Sequence, residues 1–285
     1  MTPRTFPGME NIARSLGALR RARLPGAELT YFDRGSGRLT VYAHGVLWSQ
    51  ETEERLGLID WPALPGRRLV RYDARGHGRS SGRPVNGDYA YDRLADDLLK
   101  LLDHLGAEGP VDAVGASMGC ATVLHAAVHA PHRFDRLVLL TPPRAWETRT
   151  DARRAYQAAA DQIEREGRDA WAAGLRRLPP PPILADVWSS LADPDISDAL
   201  LPAVLRGVAE SDLPDRAALA ALPHPTLVIA WEGDPTHPLS TAQELAELIP
   251  DAELHITRTS ADRPARGRQI ASFLSQDEGV RPVVP

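Results

Sequence analysis

At 285 residues the chain is long enough for a large buried core and sits near the upper size of a single domain. With 43% hydrophobic and 25% charged residues it has an ordinary globular composition, and its net charge of -5 gives little of the phosphate electrostatics that drive nucleic-acid binding. The single cysteine, Cys120, excludes an intramolecular disulfide and fits a reducing compartment.

The first residues have no apolar h-region, and no run of about 18 apolar residues follows. The expectation is a cytoplasmic protein without a membrane span. Residues 1–25 carry Arg4, Arg14, Arg20, Arg21 and Arg23 with some helical spacing and read as an N-terminal extension, either helical or a loose arm. From residue 26 onward, short β-prone runs at 28–32, 39–43, 68–72, 111–114, 136–140, 226–231 and 252–257 alternate with helix-like segments. That alternation predicts an α/β fold with a mostly parallel, doubly wound sheet. The continuous apolar runs at 137–140 and 227–230 suit strands buried on both faces.

Residues 91–105 place Tyr91, Leu94, Leu98, Leu101, Leu102 and Leu105 on one helical face, with Gly106 as the stop. A second helix from Met118 ends where Pro131 forbids continuation. Residues 144–222 break the pattern, being rich in Ala, Arg, Leu and Pro with few β-branched residues. Helices are expected at 153–165 and 169–178, a break at 179–182, and short helices at 202–209 and 214–222. The insertion reads as a helical lid over the C-terminal edge of the sheet. The core then comprises residues 26–143 and 223–275, and residues 276–285 form a frayed tail.

Gly115-Ala116-Ser117-Met118-Gly119 follows a predicted strand and precedes a predicted helix. So sharp a reversal crowds the residues on either side of the serine, and glycine removes the clash while Oγ stands exposed above the sheet. The Met118 N–H would face a developing oxyanion, aided by the helix dipole. Cys120, directly after the elbow, reads as small buried packing.

In this strand–turn–helix setting the chain resembles the α/β-hydrolase superfamily over residues 26–275. The resemblance implies an oxyanion loop at Ala43-His44-Gly45-Val46, with the Val46 N–H as second donor and His44 as a structural residue. It implies an architectural turn at residues 72–80, where Asp73, Arg75 and His77 are structural. It also implies that Asp234, in Gly233-Asp234-Pro235-Thr236-His237-Pro238, is the triad acid.

The family's catalytic histidine lies in the loop after the last strand. Here that loop, residues 258–264, contains none, and no histidine follows His255. Serine needs a base to accept its proton. Of the nine histidines, His77, His104 and His132 fall in turn or surface positions, and His125 and His129 lie too far along the helix after the elbow. His224 belongs to the opposite edge, and His255 sits inside a strand. His237, shortly after Asp234, is the best candidate.

The expected function is a serine hydrolase acting on a small or medium ester, lactone or related acyl compound through an acyl-enzyme. Catalysis would use Ser117, Asp234 and His237, with Val46 and Met118 as oxyanion donors. The missing late histidine leaves two alternatives: a non-hydrolytic enzyme of the same fold, such as a biosynthetic cyclase, or a catalytically silent ligand-binding protein. No metal-ligand spacing and no G-x-G-x-x-G after a strand is present, so no cofactor or metal is expected. The expected partner is a small-molecule substrate, with no nucleic acid and no membrane; the sequence carries no signal for oligomeric state. Six tryptophans are spread over loops and insertion, some fit to line an apolar pocket; Trp171 and Trp188 read as lid packing.

Overall fold

The computed structural model describes residues 15–59, 61, 64–188 and 193–276. Its strands are β1 (Ala18–Leu24), β2 (Ala27–Gly35), β3 (Arg38–Ala43), β4 (Arg67–Tyr72), β5 (Val111–Ala116), β6 (Phe134–Leu140), β7 (Thr226–Trp231) and β8 (Ala252–Thr257). They form one sheet in the order β1-β2-β4-β3-β5-β6-β7-β8. β1 with β2 and β2 with β4 are antiparallel, and every other pair is parallel. The fold is the predicted α/β class.

One expectation needs correction. Within the supposed extension at 1–25, residues 18–24 are the edge strand β1, neither helix nor loose arm. β1 turns at Pro25-Gly26 into β2, in register from Leu24 opposite Ala27 to Ala18 opposite Asp33. Arg21 and Arg23 reach Glu28 across the hairpin, and Arg20 reaches Asp33. Only Ala22 in this strand is buried, so it shows no apolar alternation, and its arginines suit an edge that must resist further pairing. Residues 1–14, with Arg4 and Arg14, lie outside the described residues, as does the supposed tail beyond Gln276.

Alternate residues of the central strands enter two separate apolar layers, as the period of two requires. Val41, Ala113, Leu137, Leu139 and Val228 join the first layer, while Tyr42, Val114, Val138, Leu140, Leu227 and Ile229 join the second. The helices are α1 (Gln50–Leu56), α2 (Tyr91–His104), α3 (Met118–His129), α4 (Arg149–Glu166), α5 (Arg168–Arg176), α6 (Leu201–Ala209), α7 (Arg216–Ala220), α8 (Leu239–Leu248) and α9 (Arg263–Leu274). The predicted face of α2 meets the first layer through Leu94, Leu98, Leu101 and Leu102, and α3 meets it through Val123 and Leu124. α9 covers the second with Ile270, Phe273 and Leu274. With helices on both sides, β7 is buried throughout and β5 along all but its last residue.

Helices α4 to α7 lie between β6 and β7, within the Ala- and Arg-rich insertion. Ala160 and Ile163 of α4 share a cluster with Val204 and Val208 of α6. Arg206 ties the two helices through Asp161 and Glu164. Because β5 and β7 are parallel, Ser117 after β5 and Asp234 after β7 leave the sheet at the same edge.

Candidate active site

The elbow is sterically exacting. A Cβ on Gly115 would stand 2.3 Å from the Gly119 carbonyl oxygen, and one on Gly119 would stand 2.1 Å from that of Ala43. Glycine at both places lets β3, β5 and α3 approach closely enough to hold the turn. Ser117 itself adopts φ 50°, a conformation that non-glycine residues occupy at a cost of about 1–3 kcal/mol and that recurs at functional sites. Its N–H donates to the Leu140 carbonyl at 2.9 Å, locking the strained residue to β6. Met118 then opens α3, so its N–H is among those that a helix start leaves without an intrahelical acceptor.

The loop after β3 passes beside the serine. A Cβ on Gly45 would lie 3.7 Å from Ser117 Cβ. His44 is buried; its Nδ1–H donates to the Gly45 carbonyl at 2.7 Å, and its Nε2 accepts the Ala74 N–H at 2.8 Å. Burial pushes its pKa down to about 3, so it stays a neutral brace. His77 Nε2 lies 2.7 Å from the Val46 carbonyl, supporting the loop from the other side. In the same turn Asp73 accepts the N–H groups of Gln50 and Arg79, and Arg75 makes paired bonds of 2.8 and 2.7 Å to Asp97. Glu53 of α1 accepts the Gly45 N–H at 3.2 Å. Cys120 is buried, with Sγ 3.1 Å from the Gly115 and Leu140 carbonyls, and burial raises its pKa.

Behind β7, the Asp234 carboxylate organises its own loop. Oδ1 accepts the N–H groups of Thr236 at 2.8 Å and His237 at 3.2 Å. This wraps the chain so that His237 Nδ1 comes 2.8 Å from Oδ2 of the same carboxylate. His237 Nε2 lies 2.8 Å from Ser117 Oγ. Burial alone would raise the Asp234 pKa, but the imidazole and the two backbone donors outweigh it and hold the carboxyl below its ordinary value. An ionised carboxylate only accepts, so the His237 proton sits on Nδ1 and Nε2 is free to accept from the serine hydroxyl. Arg144 steadies the loop by donating to the Pro235 carbonyl at 2.8 and 3.2 Å.

Ser117, Asp234 and His237 are thus in hydrogen-bonded sequence, and the imidazole that reaches the serine comes from the β7 loop, not from behind β8. The other histidines stay apart: His125 meets the Asp212 carbonyl, His224 the Pro131 carbonyl, and His255 lies near Glu253.

A cavity of about 510 Å³ opens over Ser117 and His237, within the range of small-molecule sites. Val46, Trp48 and Trp231 contribute from the core, and Tyr156, Trp171 and Trp188 from the insertion. Trp171 and Trp188 therefore wall the cavity as well as packing the insertion. The sequence reading did not single out Glu53, Arg149 or Arg266, which also line it. For Arg266 a signal existed: it heads the i, i+4, i+7 stripe completed by Ile270 and Phe273, where a charge on an apolar face is unusual. Among the described residues no group of His, Cys, Asp or Glu could hold a metal ion, and no helix is long and apolar enough to cross a membrane.

Comparison with known proteins agrees with this architecture. The family profile described as the alpha/beta hydrolase fold matches residues 48–261. A 3-oxoadipate enol-lactonase 2 from Acinetobacter baylyi is 30% identical over 200 residues, covering 67% of this chain and 71% of the relative. A 2-hydroxymuconate semialdehyde hydrolase from Pseudomonas sp. strain CF600 is 29% identical over 256 residues, covering 81% and 82%. The crystal structure of a hydrolase from Pseudomonas aeruginosa PA01 superposes with a TM-score of 0.72 at 27% identity, covering 91% of this chain and 99% of that one. Sheet order, elbow and matched family together place the protein: it is an enzyme belonging to the α/β-hydrolase superfamily.

Proposed function

We propose that the chain is a serine hydrolase of small or medium esters, lactones or related acyl compounds. The observation that carries this reading is His237, held between Asp234 and Ser117 by two 2.8 Å contacts. In the proposed cycle, Ser117 Oγ attacks the substrate carbonyl as its proton passes to His237 Nε2. The Val46 and Met118 N–H groups hold the oxyanion, each such donor being worth about 10²–10³ in rate. Collapse breaks the bond to the leaving alkoxide, which takes the proton from His237. Water, deprotonated by the same imidazole, then attacks the acyl-enzyme and releases the acid.

The relatives include an enol-lactonase and a semialdehyde hydrolase, which is consistent with acyl chemistry on a small organic substrate. Residues 144–222 act in this reading as a lid, since Tyr156, Trp171 and Leu184 help to enclose the cavity over Ser117.

Intact-mass analysis after fluorophosphonate treatment tests the proposal. One adduct is expected on the wild type and none on Ser117→Ala or His237→Ala. An unlabelled wild type, or an adduct that persists in Ser117→Ala, overturns the serine mechanism; an adduct that persists in His237→Ala removes His237 as base.

A further inference from the structure

Arg266 stands near the start of α9 and lines the cavity that holds Ser117 and His237, yet only 2% of it is exposed. Its Nη2 has no hydrogen-bond partner. Among the described residues its one hydrogen bond is a long one, from Nε to the Arg263 carbonyl at 3.4 Å. Among the described residues no carboxylate lies within the 4.0 Å of an ion pair with its guanidinium, whereas the neighbouring Arg263 is paired with Asp186. The guanidinium carbon lies 4.9 Å from the Trp231 ring centre, so the indole covers one face and leaves Nη2 uncommitted at the edge.

Two other charged groups of the cavity wall are committed, while the indole N–H groups of Trp48, Trp188 and Trp231 also lack partners among the described residues but carry no charge. Arg149 is also buried, but it donates to the carbonyls of Arg144, Val208 and Ser211 and to Tyr91 Oη. Glu53 accepts from Tyr42 Oη at 2.5 Å through Oε2 and from the Gly45 N–H through Oε1. Burial lowers the Arg266 pKa to about 9, which still leaves it a cation near neutrality. Glu53 acts on Arg266 through its charge but makes no ion pair with it, and a buried cation without a directly paired counter-charge is costly, so a ligand that supplies one is favoured there. The planar fork of arginine matches a carboxylate through two parallel N–H···O bonds. With a single available guanidinium among largely apolar walls, the site suits a monoanion.

We propose that Arg266 is a substrate-recognition residue and that the substrate of this hydrolase carries a free carboxylate away from its scissile ester or lactone carbonyl. This rests on the serine-hydrolase reading given above and narrows its substrate class.

The test compares pairs of 4-nitrophenyl esters. One member is the monoester of glutaric, adipic or pimelic acid, and the other is the same compound with its free carboxylate capped as a methyl ester. For at least one chain length the wild type is expected to favour the anionic member in kcat/KM by about tenfold or more, the scale on which a buried charge contact acts. In Arg266→Gln that ratio is expected to fall towards one, chiefly through KM, with Arg266→Lys between the two. A wild-type ratio at or below one for every length overturns the proposal whether or not the variants fold; so does an unchanged ratio in Arg266→Gln.

A second arm is independent of catalysis. Calorimetric titration of Ser117→Ala with glutarate, adipate and pimelate is expected to show binding that weakens at least about tenfold when Arg266→Gln is added. No binding of any diacid to Ser117→Ala overturns the carboxylate subsite. If neither ester of any pair is hydrolysed and the wild type resists fluorophosphonate, the hydrolase reading has failed, and this binding arm still decides on Arg266.

Discussion

Asp234→Asn is the most discriminating single change, because the loop dictates how the new amide must sit. Oδ1 of Asp234 receives two backbone N–H groups, from Thr236 and His237. The asparagine oxygen must occupy that position, since an NH2 there would face two donors. The NH2 then falls at Oδ2, against His237 Nδ1. An amide donor there forces Nδ1 to accept, so the imidazole proton moves to Nε2 and points at Ser117 Oγ, and the base can no longer take the serine proton. Flipping the amide restores the productive tautomer but leaves two backbone donors unsatisfied, at about 1–3 kcal/mol each. The smaller of the two penalties sets the observed loss, because the enzyme reacts by whichever route is cheaper. The tautomer penalty alone is about 10⁴ in kcat, and the flip costs roughly 30-fold to 10⁴-fold. The expected loss is therefore roughly 30-fold to 10⁴-fold in the rate of Ser117 phosphonylation and in ester turnover, while the fold persists. Time-resolved intact mass after fluorophosphonate addition measures the first and a chromogenic ester the second. A variant within tenfold of the wild type in both would refute the assigned proton positions and, with them, the role of Asp234.

Two further outcomes follow from the packing. Gly119→Ala puts a Cβ 2.1 Å from the Ala43 backbone oxygen, so α3 and β3 must separate; a loss of about 1–3 kcal/mol is expected in urea unfolding, and a change under 0.5 kcal/mol would contradict the close approach. His44 has a folded pKa near 3, below its ordinary value of 6.5, so between those limits the unfolded chain binds the extra proton. Its contribution is complete above pH 6.5 and is lost as pH falls towards 3, at up to about 1.4 kcal/mol per pH unit. The difference in unfolding free energy between wild type and His44→Gln is expected to shrink across that window, and a difference independent of pH would mean that His44 is not buried neutral.

Local chemistry made much of the site legible. The strand before Ser117, the glycines around it and the helix after it are all encoded within a few residues of one another. Period-two and period-3.6 patterns marked the central strands and α2, because burial on a face writes itself into nearby spacing. Asp234 followed from the resemblance to the superfamily, whose triad acid lies on the loop after this strand, and His237 from weighing each histidine against its predicted position. β1 escaped notice because an arginine-covered edge strand buries almost nothing and so carries no apolar alternation.

The sequence by itself determined the α/β class, the elbow and a short set of candidates for its partners. Only the tertiary structure decided that Ser117 and His237, 120 positions apart, meet at 2.8 Å, that α4 and α5 help to wall a cavity above them, and that Arg266 lines that cavity with an Nη2 left without a hydrogen-bond partner among the described residues. The division has a physical cause. Spacing along the chain reports which face of an element is buried, whereas the distance between side chains on separate elements is set by how the layers pack.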